Sequence, residues 1–146
     1  MSHNHEQDHG HHDHNHYHHH HSHADTIERA WACVDFEAHT HEQAATVSMS
    51  VHPNAGCERT FSNVVEIMQI IACAAEEAGG IVGHIKAFAK QDETTAHASV
   101  TAADLSPTCE GDQSLALDGT TDIQLVAIVL LIGEEDLLAI CKDALA

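Results

Sequence analysis

Residues 45–52 read ATVSMSVH. Val47, Met49 and Val51 alternate with Thr46, Ser48, Ser50 and His52, so an extended chain puts the apolar residues on one face and the polar ones on the other. A period of two needs one covered face and tolerates one wet face, which is what an antiparallel sheet offers. Pro53, Asn54 and Gly56 then end the strand.

Upstream, residues 30–41 (AWACVDFEAHTH) fit the same period. Ala32, Val34, Phe36 and Ala38 face one way, and Cys33, Asp35, Glu37, His39 and His41 face the other. Downstream the period changes. Phe61, Val64, Val65, Met68, Ile71, Ala72 and Ala75 recur at helical spacing across 58–78 and make one apolar stripe. Asn63 and Glu66 have capping-box spacing, which moves the expected start of the regular helix inward from Glu58. Gly79-Gly80 stops it.

A hairpin follows, with arms near 81–90 and 94–102 joined by Gln91 to Glu93. Ile81, Ile85, Ala87 and Ala89 are expected on one face of the first arm, and Ala96, Ala98 and Val100 on one face of the second. Residues 103–121 read as irregular, with a short strand at Ser114 to Leu117. Ile123 to Ile132 (IQLVAIVLLI) is apolar on both faces, too short for a bilayer and suited to a central strand. A short helix over 134–145 starts with Glu134, Glu135 and Asp136, which complement its dipole, and buries Leu137, Leu138, Ile140, Cys141 and Leu145.

The expected fold is therefore α+β, a mostly antiparallel four- to five-stranded sheet with two helices on one face. It occupies 24–146 as a single domain. Helices on one face leave Val126, Ile128 and Leu130 uncovered on the other, so a homo-oligomer is expected.

Residues 1–23 (MSHNHEQDHGHHDHNHYHHHHSH) have a different composition. His3, His5, His9, His11, His12, His14, His16, His18, His19, His20, His21 and His23 stand with Glu6, Asp8 and Asp13 and no lysine or arginine. Such a segment buries nothing to offset chain entropy, so a disordered tail is expected. Imidazole binds divalent transition metals near neutral pH, so the tail is a candidate ligand for nickel, cobalt or zinc. A purification tag is typically one unbroken run, whereas here the longest run is His18–His21 and no cleavage motif follows. Asp25 and Glu28 have the spacing of a helix cap just beyond the tail.

The net charge of −18 includes three acids from the tail, so −15 belongs to the remainder. Five basic residues in the whole chain cannot neutralise a nucleic-acid backbone, and anionic membranes are disfavoured for the same reason. No basic, apolar leader stands at the N-terminus, so a cytoplasmic location without membrane insertion is expected. The five cysteines, Cys33, Cys57, Cys73, Cys109 and Cys141, are odd in number and lack Cys-x-x-Cys spacing, which argues against a disulfide framework or a zinc ribbon. Cys73 and Cys141 are expected in the core.

Three constellations outside the tail carry ligand types. His52, His84 and His97 fall on the face away from the helices and would make an open three-histidine site if strand register allowed, although Lys86 on that face repels a cation. Asp35, Glu37, His39 and His41 share a strand face, where neighbours about 7 Å apart can share a metal. His52 and Cys57 flank the loop HPNAGC. No nucleophile–base pair, phosphate-cradling glycine loop or Gly-x-Ser-x-Gly elbow is present, so the sequence lends enzymatic activity no support, and a small enzyme using the His52–His84–His97 face stands as the third alternative.

The tail resembles the histidine-rich extensions of bacterial nickel, cobalt and zinc accessory proteins, such as the GTPases and chaperones that supply hydrogenase and urease. That likeness covers residues 1–23 alone and is compositional; the phosphate-binding loop of those GTPases is absent here. The remainder is loosely similar to small cation-tolerance proteins of ferredoxin-like fold, without the second helix after the hairpin. These observations lead to a metal-handling accessory protein with a metalloenzyme-maturation or metal-transport partner. The rival expectation is an oligomeric regulatory or structural domain whose histidines only sense metal or pH.

Overall fold

A computed structural model describes residues 31–146 apart from 55 and 57, with the backbone alone at 33 and 34. The tail 1–23 and the Asp25–Glu28 cap lie outside the described residues. The architecture is α+β, as expected. The main sheet has six antiparallel strands rather than four or five.

In chain order the described elements are β1 (Trp31–His41), β2 (Ala44–Pro53), β3 (Arg59–Thr60), α1 (Phe61–Glu77), β4 (Ile81–Gln91), β5 (Thr94–Val100), β6 (Thr108–Gly111), β7 (Ala116–Leu117), β8 (Asp122–Leu130) and α2 (Glu134–Ala144). The main sheet runs β1-β2-β8-β4-β5-β6, and β3 pairs with β7 as a small ribbon. β8 is central, as its apolar faces require.

The core lies between the helices and one face of this sheet. Val47, Met49 and Val51 of β2 meet Ile123, Leu125 and Val129 of β8, with Ile85, Ala87 and Ala89 of β4 alongside, and all are buried. α1 contributes Phe61, Val64, Met68, Ile71, Ala72 and Ala75, and α2 contributes Leu137 and Cys141. Burying one such aliphatic or aromatic side chain is worth roughly 1.5–3 kcal/mol relative to leaving it in water. Lys142 of α2 lies 5.4 Å from the centroid of the Phe36 ring, which joins that helix to β1.

Two bulges shift the expected faces. The β4–β8 register slips between Val82 and His84, so Val82 is buried with Ile85 while Ile81 is 57% exposed. One extra residue inverts the alternation upstream of it, so Ile81 does not share the face of Ile85. The β1–β2 register slips between Cys33 and Asp35. Trp31 is consequently buried opposite Pro53, whereas Asp35, of the same parity, stands opposite Ser50 and is exposed.

α1 starts at Phe61, earlier than the Asn63 spacing implied. Asn63 sits three residues after the cap, and its Oδ1 accepts the Thr60 backbone N–H at 2.9 Å. The first free amides of α1 are satisfied from elsewhere in the chain. Phe61 N–H donates to the Leu115 carbonyl and Ser62 N–H to the Gln113 carbonyl, each at 3.1 Å. Residues 103–121 therefore do structural work: they supply β6, β7 and these acceptors. The short strand expected at Ser114 to Leu117 is confined to Ala116–Leu117. Within the next turn the Thr120 hydroxyl and amide, both donating to Asp118, hold its carboxyl below the ordinary carboxylate range.

Cys73 is exposed, contrary to expectation, while Cys141 is buried. Glu66, Ile70, Cys73 and Glu77 follow one another at four-, three- and four-residue steps down the outer side of α1, directly opposite the buried stripe.

Candidate functional site

The sheet face away from the helices is the candidate functional surface, because nothing among the described residues covers it. Its side chains form rows that the strand register defines. One row runs Glu37, Ser48, Val126, Lys86, Ser99 and Thr108 across all six strands. The next runs Asp35, Ser50, Gln124, Phe88, His97 and Glu110. On the other side, His39, Thr46, Ile128 and His84 share a row.

These rows, with the pairs His41–Ala44 and His52–Ala32, place every described sequence candidate. Asp35, Glu37, His39 and His41 share the open face of β1, as alternation required, and all four are exposed. His52, His84 and His97 share that face too, but the register keeps them apart. His97 stands opposite Phe88, not His84. His84 precedes Phe88 by four residues, roughly 13 Å along the strand. His52 sits on β2, with β8 between it and β4. Its Nδ1 lies 3.3 Å from the Pro53 carbonyl. Cys57, at the far end of the HPNAGC loop, lies outside the described residues, as do the twelve tail histidines. Among the described residues, no group of three or more His, Cys, Asp or Glu side chains is placed to hold a metal ion.

The register brings together a pair that sequence reading missed. His97 Nε2 is 3.1 Å from Glu110 Oε2, across β5 and β6. The Phe88 ring lies beside the His97 imidazole, with centroids 6.5 Å apart and a 37° tilt. These residues and His84, Ser99 and Gln124 border a groove of about 650 Å³. Glu110 went unnoticed because its strand is four residues long, starting straight after Pro107 and ending on Gly111, in a stretch that reads as irregular. The available signal was the alternation of Thr108, Cys109 and Glu110, which is too short to separate from chance.

Charge on the open face is segregated by strand. β1 carries Asp35 and Glu37, β4 carries Lys86 and Lys90, and β2 between β1 and β8 carries only small neutral groups and His52. The central strand β8 shows Val126, Ile128 and Leu130, all half-buried. Phe88 adds an aromatic ring that is 43% exposed. On this face Ser48 stands opposite Glu37 and Thr46 opposite His39, while Ser50 Oγ donates to Gln124 Oε1 at 3.1 Å.

No protein-family model, curated protein or solved structure matches the chain. Among the described residues no helix is long and apolar enough to cross a membrane.

Proposed function

We propose that this chain is a cytoplasmic metal-handling accessory protein that buffers or delivers nickel, cobalt or zinc through its histidine-rich N-terminal segment. The observation that carries this reading is the twelve histidines among residues 1–23, interleaved with three acids and free of lysine and arginine. Imidazoles chelate by twos to fours, so the segment offers room for roughly three to six ions at saturation. Many equivalent ligands give modest affinity per ion and fast exchange, which serves buffering and hand-off. An imidazole in water titrates near pH ~6.5, so cargo is released as the pH falls through that value. The folded domain serves as the handle: its acidic surface attracts cations, and a metalloenzyme-maturation or metal-transport protein is the partner it would address.

The test is calorimetric titration of the full chain with Ni²⁺ and with Zn²⁺, beside a full-length variant whose twelve tail histidines are asparagine. The wild type takes up several ions and the variant at most one. Equal, small uptake by both chains rejects the reading.

A further inference from the structure

The open sheet face has a shape and charge pattern that complements itself. We propose that two copies of this chain pack open face to open face, about a twofold axis that runs parallel to the strands between β2 and β8. This is independent of the metal reading.

Three features select that axis. A rotation about it leaves each residue at its own level along the strands and exchanges β2 with the partner's β8 and β1 with the partner's β4. First, small side chains meet large ones. Thr46 faces the partner's Ile128 and Ser48 faces the partner's Val126, because these residues already share rows within one copy. Interdigitation of small with large is how two sheets close to about 10 Å. An axis through β8 would instead set Val126 and Ile128 against themselves. Second, unlike charges meet. Glu37 shares its row with Lys86, three strands away, so the rotation sets Glu37 over the partner's Lys86, twice per dimer. Among the described residues, the salt bridge is His97–Glu110, and neither Glu37 nor Lys86 has an ion-pair partner. Third, the area is sufficient. Four strands at ~4.8 Å and about eight residues of common length give roughly 500 Å² per copy, or about 1,000 Å² in total, the lower bound for a specific interface. The groove beside His97 and Glu110 extends from β5 and β6 onto β4 and β8, where Lys86 and Val126 line it, so the pairing covers that part of it.

The experiment uses the full chain in EDTA, so that metal cannot link tails. Sedimentation from about 1 to about 100 µM is expected to show twice the 15.8 kDa chain mass at the upper end. Ile128→Glu, Glu37→Lys and Lys86→Glu each weaken association at least tenfold, and the Glu37→Lys/Lys86→Glu double variant recovers most of it. All three substitutions lie on the wet face, and far-UV circular dichroism verifies the fold. Zero-length carbodiimide coupling of a mixed ¹⁴N/¹⁵N sample gives a second readout. Glu37 and Lys86 of one copy stand about 14 Å apart, three strand spacings, beyond zero-length reach, so a Glu37–Lys86 coupled peptide must be intermolecular, and mixed-label forms must appear beside the two single-label ones. A monomer at the highest concentration overturns the proposal. So does a dimer that Ile128→Glu leaves intact, or a double variant as weak as its parents.

Discussion

At Gly111 the chain adopts φ +86° as β6 ends opposite Ala96. A Cβ built there would lie 2.4 Å from the Thr95 carbonyl oxygen and 3.0 Å from Ala96 Cα, both backbone atoms that cannot swing aside. Gly111→Ala therefore combines left-handed strain with a clash, and a loss of about 1–3 kcal/mol is expected from the urea midpoint. A loss within ~0.5 kcal/mol would mean that β6 is not held against β5 as described. His97 and Glu110 lie in that same strand pair, and their contact depends on the register Gly111 helps to set. Exposed at both ends, the pair itself adds little stability; its importance is positional.

α1 shows how one element separates core from surface. Its inner side holds Ile71, fully buried, and its outer side holds Cys73 and Ile70, both exposed. Ile71→Ala removes buried methyl groups and leaves a cavity, so a loss of about 2–5 kcal/mol is expected. Cys73→Ser changes an exposed thiol to a hydroxyl, and its effect should stay within about 0.5 kcal/mol. Parallel chemical denaturation of the two variants checks both; equal losses would contradict the assigned helix rotation. The composition of the stripe explains why the helix was legible: seven apolar residues recur near 100° per residue. Cys73 was misread because a cysteine beside Ala72 fits a core by type, and only its rotation about the helix axis excludes it. Bulges had the same effect on strands. The signal in Ile81–Val82–Gly83–His84 was Gly83, because a glycine inside a strand often marks a bulge, but the alternation of Ile81 and Ile85 hid it.

For the molecule as a whole, one sheet face is sealed by two helices and the other is left to solvent or to another molecule. If that other molecule is a second copy, stability must depend on concentration. Each tenfold rise in protein then adds about 1.4 kcal/mol per dimer, seen as a denaturation midpoint that climbs with concentration. Ile128→Glu should flatten that dependence, and a midpoint independent of concentration in the wild type would refute it. The charge of −18 bears on the same scale, because self-repulsion opposes any pairing that does not match acid to base.

Periodicity carried the local architecture: β2, β8, the hairpin and both helices follow from where apolar residues repeat, because burial rewards that spacing whatever the neighbours are. Composition alone carried the metal reading, since ligand density at residues 1–23 needs no geometry. Relations between strands were another matter. That His97 meets Glu110 and not His84, that Glu37 and Lys86 share a row, and that β6 exists at all, depend on register. Register is set by pairing between segments far apart in the chain and by bulges one residue wide, and a one-residue slip sends every side chain to the opposite face.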